Sequence, residues 1–134
     1  MKLIVCLDDR NGVLFLGRRL SRDRAVCADI LAQCGGGKLW MNAYSAAMFG
    51  ADARICVAED FLDKAMTEDS CFVENVTVEP YLPVSKLTVY RWNRCYPSDR
   101  KFPLEQALRG MVLQSRCEFA GSSHDVITRE EYCG

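Results

Sequence analysis

The stretch Lys86-Leu87-Thr88-Val89-Tyr90-Arg91-Trp92, running on through Asn93-Arg94-Cys95-Tyr96 and Asp99 to Phe102-Pro103, sets the frame for the chain. Its first seven residues are dominated by apolar, aromatic and β-branched types and predict a strand over 86–92. Asn93 to Pro103 predicts an irregular loop, and Leu104 to Leu108 a short helix. Toward the C-terminus, Met111–Phe119 and Val126–Tyr132 predict two closing strands around the turn Ala120-Gly121-Ser122-Ser123.

Toward the N-terminus, Lys2–Leu7 predicts a buried first strand with turn chemistry in Asp8-Asp9-Arg10-Asn11-Gly12. Residues 13–20 predict a loop whose Val13-Leu14-Phe15-Leu16 covers something apolar. Ser21 can cap a helix, with Asp23 in its first turn where a carboxylate suits the helix dipole. Gly35-Gly36-Gly37 ends that helix. Strands over 38–41 and 54–58, helices over 43–49 and 59–66, and a strand opening at Cys71-Phe72-Val73 follow. Pro80 and Pro83 forbid a long regular element between 79 and 84. Strands and helices alternate first, and strands alone come last. This order predicts an α/β fold: a mostly parallel central sheet with flanking helices and an antiparallel C-terminal edge. With no linker or repeat, residues 1–134 read as one domain.

The composition, 49% hydrophobic and 26% charged, is that of a globular chain, and the net charge of −1 supplies no field toward nucleic acid. The opening apolar run is too short for a signal peptide, and no run approaches the roughly 18 residues of a membrane span. A soluble cytoplasmic protein is expected. Eight cysteines at 6, 27, 34, 56, 71, 95, 117 and 133 contain no Cys-x-x-Cys pair, so reduced thiols are expected rather than a metal site.

Several local signatures, in order along the chain, resemble dihydrofolate reductase. The strand Leu3–Leu7 with its acidic Asn-Gly loop is similar to that family's opening strand and loop. Leu20-Ser21-Arg22-Asp23 resembles its Leu-Pro-x-Asp, where the helix begins with the carboxylate that serves the pterin. Leu39-Trp40-Met41-Asn42-Ala43-Tyr44-Ser45 resembles the family's Val-Ile-Met-Gly-Arg-x-Thr. The 86–103 stretch is similar to its late strand and loop, and Glu118-Phe119 with Ser123-His124-Asp125 to its C-terminal hairpin. The resemblance implies a single-domain dihydrofolate reductase-like fold.

The departures bear on activity. Where the family's glycine and basic residue help to hold cofactor phosphates, Asn42 and Ala43 stand. Where it has a Gly-Gly loop, this chain reads Val73-Glu74-Asn75-Val76. Glu74 brings a Cβ and a negative charge to a phosphate position and is expected to repel one. The threonine that assists the family's carboxylate corresponds to Tyr90. Hydride transfer without a nicotinamide site has no reductant, so no cofactor is expected. The chain is also similar to short bacterial proteins sharing Asp-Asp-Arg-Asn-Gly, Leu-Trp-Met-Asn-Ala-Tyr-Ser and Glu-Phe-Ala-Gly-Ser-Ser-His, some labelled ribonuclease Z. That chemistry needs two metals on several His and Asp ligands, and His124 is the sole histidine.

The candidate ligand-binding residues are Asp23, Asn42, Tyr44, Ser45, Glu74, Asn75 and Tyr90. Asp23 can bond a flat amidine- or pterin-like ring or simply partner a helix dipole. Asn42-Ala43-Tyr44-Ser45 can take a small anion at a strand's C-terminal end or merely cap a helix. Arg91, Trp92, Arg94 and Tyr96 are the interaction candidates: they can stack a base or grip a partner, or form a strand edge with Trp92 packed inward. Ser122-Ser123-His124-Asp125 are sequence neighbours and more naturally satisfy their own turn than form a catalytic triad. The functions left open are a non-catalytic ligand-binding or interaction domain, an enzyme acting on a pterin or nucleotide, and a residual NADPH-dependent reductase. The partners are a small pterin- or nucleotide-like ligand and a second copy of the chain. Nucleic acid, membrane and metal are not expected.

Overall fold

The computed structural model describes residues 1–80 and 82–134. The elements run β1 (Lys2–Leu7), β2 (Gly12–Phe15), β3 (Arg18–Arg19), α1 (Arg24–Cys34), β4 (Leu39–Met41), α2 (Ala43–Phe49), β5 (Ile55–Val57), α3 (Phe61–Lys64), β6 (Ser70–Phe72), β7 (Lys86–Arg91), β8 (Arg100–Lys101), α4 (Leu104–Ala107), β9 (Val112–Phe119) and β10 (Ile127–Cys133). The irregular backbone expected between 79 and 84 includes position 81, which lies outside the described residues.

The main sheet has the order β5-β4-β6-β1-β7-β10-β9. Its pairs are parallel from β5 through β7, and β10 is antiparallel to both β7 and β9. The α/β reading with an antiparallel C-terminal edge holds. Alternation along β1 explains the two cores: Leu3, Val5 and Leu7 join one cluster and Ile4 the other. Strand β7 does the same, sending Leu87 and Val89 to the first face and Tyr90 to the second. Helix α1 buries Val26 and Ile30, one turn apart, in the second cluster.

The structure differs from the sequence reading in four places. Residues 13–20 are not a loop: β2 and β3 form a hairpin, with Leu14 opposite Arg19 and Phe15 opposite Arg18. That register leaves Leu16-Gly17 as a two-residue turn with φ of 51° and 75°, the left-handed pair a tight hairpin needs. Glycine adopts this conformation freely, but leucine gives no sign of it, so the turn chemistry was invisible. The hairpin joins β8, from within the expected 93–103 loop, in a second sheet of order β3-β2-β8. The helix expected over 59–66 is only Phe61–Lys64. Finally, Asp23 rather than Ser21 caps α1, because its side chain accepts from the N–H groups of Ala25 and Val26.

Candidate functional site

The parallel strands all point their C-terminal ends one way, so the segments following β1, β4, β6 and β7 gather Asp8, Asn42, Glu74 and Trp92 at one edge. The turn before β10 and the start of α1 come to the same edge. Open α/β sheets place their ligand clefts there. Two acidic side chains dominate it.

The first is Asp23. Besides capping α1, its carboxylate accepts from the N–H groups of Ser122 at 2.9 Å and Ser123 at 2.8 Å, and from the Ser122 hydroxyl at 2.9 Å. His124 Nδ1 lies 2.9 Å from its Oδ2. The Asp23 side chain is 0% exposed and that of His124 2%. Burial pushes against ionisation, yet the Ser122 N–H, His124, the Ser123 N–H and the Ser122 hydroxyl outweigh it and hold Asp23 well below the usual carboxylate range. An ionised Oδ2 favours a proton on His124 Nδ1, and in that tautomer Nε2 is the acceptor. It lies 2.8 Å from Tyr96 Oη and 3.1 Å from Ser21 Oγ, and Trp92 stacks on the ring at 4.8 Å between centroids.

The 121–124 turn therefore does not satisfy itself with its own side chains, as its sequence suggested. It spends its N–H groups on a carboxylate about a hundred residues earlier in the chain. Gly121 makes the approach possible: a Cβ there would lie 2.6 Å from Asp23 Oδ2 and 2.7 Å from His124 O. The relay Asp23–His124–Ser21 and Tyr96 was missed because its members come from three separate segments. The signals available were the sole histidine and a glycine in the turn before β10.

The second acid is Glu74, expected to repel a phosphate. Its charge is paired within the chain. Arg19, delivered by the hairpin, grips it with Nε to Oε2 at 2.9 Å and a terminal nitrogen to Oε1 at 3.0 Å. Ser45 Oγ donates to Oε1 at 2.8 Å, and the Glu74 side chain is 7% exposed. The charge of this carboxylate is compensated by a bidentate guanidinium. Arg19 also lies over the Tyr44 ring at 4.2 Å, and the Tyr44 hydroxyl accepts from the Arg19 N–H. Asn42 caps α2 through the Ser45 N–H and donates Nδ2 to Asn75 Oδ1 at 2.7 Å. Of the expected ligand set, Asn42, Tyr44, Ser45, Glu74 and Asn75 thus form one network.

Tyr90 stands apart from it. Its ring is fully buried and its hydroxyl donates to Asp29 of α1 at 2.7 Å; burial and then Asp29 push its ionisation far upward. Nor do Arg91, Trp92, Arg94 and Tyr96 form one surface. Arg91 bonds Glu130 and Asn11, Trp92 is buried on His124, Tyr96 belongs to the relay, and Arg94 alone is exposed.

An open recess of about 470 Å³ adjoins the relay, with Arg18, Arg19, Leu20 and Tyr96 among its walls. Another of about 320 Å³ lies beside Glu74, with Val76, Arg100 and Phe102 on its lining. Burial pushes the thiol of Cys27 up to about 11 and that of Cys71 to about 12, which leaves neither a ready nucleophile. Among the described residues, no group of three His, Cys, Asp or Glu side chains is placed to hold a metal ion, and no helix is long and apolar enough to cross a membrane.

No protein-family profile matches the chain, and no curated protein matches it by sequence. Among solved structures it is similar to dihydrofolate reductase from Enterococcus faecalis complexed with NADP(H) and RAB-propyl. The TM-score is 0.68 at 9% identity, covering 98% of this chain and 94% of that one. At that identity the likeness concerns the fold.

Proposed function

With a dihydrofolate reductase-like fold as the premise, we propose that this chain is a non-catalytic ligand-binding or interaction domain. Residues 1–134 act as one domain of a cytoplasmic protein. A small pterin- or nucleotide-like molecule is its ligand, held at the recesses flanking the cleft rather than in the reductase manner. The observation that carries this reading is the saturation of Asp23. The resemblance assigns that position to the pterin, and here four backbone N–H groups, a hydroxyl and an imidazole already occupy its two oxygens. Displacing them would orphan several buried donors at once, each costing about 1–3 kcal/mol. The Arg19–Glu74–Ser45 network supports the same reading in the half of the cleft where the resemblance places the dinucleotide.

Trp92, stacked on His124, and Trp40, whose Nε1 donates to Asp69, report on occupancy through fluorescence. The expected result is a rise in melting temperature with a member of a pterin and nucleotide panel, and no oxidation of NADPH in the presence of dihydrofolate. Quenching by NADPH accompanied by its oxidation would overturn the reading and restore a reductase.

One observation favours an enzyme instead. His124 Nε2, oriented by Asp23, faces two half-exposed hydroxyls, the arrangement a general base requires. If this chain acts on a pterin or nucleotide, Tyr96 at the recess is the group that would exchange a proton with it. Turnover abolished in Tyr96→Phe at unchanged ligand affinity would establish this second reading.

A further inference from the structure

Strand β9 forms one outer edge of the seven-stranded sheet, and Val112 to Glu118 are exposed without a break. Val112 is 65% and Leu113 48% exposed. An edge of this length presents a row of unpaired N–H and C=O groups, a template for another strand. We propose that β9 pairs with β9 of a second copy of this chain, antiparallel about a two-fold axis at Cys117. This goes beyond the binding reading and does not depend on it.

Symmetry and charge fix the register. A two-fold axis perpendicular to a sheet keeps every side chain on its own face, so an antiparallel self-pair must centre on a residue. A bulge between the pairs Glu131–Ser115 and Tyr132–Leu113 leaves Ser115 to Phe119 as the regular part of β9. Centring on Arg116 would set that arginine against its own copy, and like charges directly opposite destabilise. Centring on Ser115 would set Val112 against Glu118. Centring on Cys117 sets Arg116 opposite Glu118 on both sides of the axis. These two residues already pair within the strand at 2.9 Å, so the axis closes a ring of four alternating charges. On the other face it sets the exposed Cys117 against itself. Directly opposed Cα atoms lie about 4.5–5.5 Å apart in an antiparallel pair, inside the span of a disulfide.

So short a ladder buries less than the roughly 1,000 Å² of a stable complex, and the association is concentration-dependent. Light scattering behind gel filtration, at about 10 µM and about 300 µM, reads it directly, a range suited to a weak interface. The mass is expected to move toward that of two chains at the higher concentration. Arg116→Glu and Glu118→Arg should each weaken association roughly tenfold. The double variant R116E/E118R, and an equimolar mixture of the two single variants, should both associate, because each restores opposite charges across the axis. Diamide, taking up two electrons and two protons as two thiols join, should link the wild type into a covalent dimer and leave Cys117→Ser uncrosslinked. A monomer at both concentrations overturns the proposal. So does association that ignores these charges, or a crosslink that survives Cys117→Ser.

Discussion

Asp23 and Glu74 occupy the same edge of the sheet and solve the same problem, a carboxylate taken out of water, in opposite ways. Asp23 divides its charge among four backbone N–H groups, a hydroxyl and an imidazole, drawn from α1 and from the turn before β10. Glu74 relies on one guanidinium and one hydroxyl, and the guanidinium comes from a short hairpin. The first arrangement is redundant and backbone-built, so it survives the loss of any one partner. The second hangs on Arg19, so one substitution strands a buried charge. The part of the cleft near Asp23 therefore tolerates the loss of a partner better than the part near Glu74.

The largest effect is expected from removing Asp23 itself. Asp23→Ala uncaps α1 and orphans the Ser122 and Ser123 N–H groups together, a loss of about 4 kcal/mol in urea unfolding. His124→Gln, which leaves the backbone donors in place, should cost far less; equal losses would show that the imidazole, not the turn, holds the carboxylate. Next comes the other acid. Glu74→Gly leaves Arg19 without its partner and is expected to cost on the order of 3 kcal/mol. In a double-mutant cycle with Arg19→Met, the pair should lose little more than either change alone. Additive losses would mean that the two side chains act separately.

Acid probes the Asp23 half through its own carboxylates. Asp23 and Asp8 are both held below the ordinary carboxylate value: burial opposes ionisation in each, and is outweighed at Asp8 by the N–H groups of Tyr96, Gly12 and Arg10. A depressed folded-state value means the stabilisation is complete above the unfolded value of about 4 and is lost as pH falls through the folded one. Unfolding free energy should therefore decline steadily below about pH 4 in the wild type, and with a shallower slope in Asp23→Asn. The smallest effect belongs to the hairpin that delivers Arg19. Leu16→Asn places a residue tolerant of left-handed backbone where φ is 51° and should add about 0.5 kcal/mol in thermal unfolding. A loss there would show that the exposed Leu16 side chain makes a contact worth more than the strain.

Much of the fold was legible because its signals are local. The apolar and β-branched runs Leu3-Ile4-Val5 and Leu87-Thr88-Val89-Tyr90 name strands from neighbours alone, and the order of strands and helices implies the mostly parallel sheet. Asp23, Asn42, Ser45 and Glu74 were also identifiable as polar residues at element ends. Their roles were not. That Glu74 is neutralised depended on Arg19 arriving by a hairpin whose Leu16-Gly17 turn carries no recognisable signature. That Asp23 is saturated depended on a turn about a hundred residues away.

By itself, then, the sequence determined the strands and helices of the main sheet, though not the β2–β3–β8 sheet, and which side chains stand at their ends, because backbone propensity and side-chain periodicity are set within a few residues. Only the tertiary structure decided which of those side chains face one another. Whether a carboxylate is free to meet a ligand or is already satisfied is fixed by donors that distant segments bring within 3 Å, and no local pattern encodes that distance.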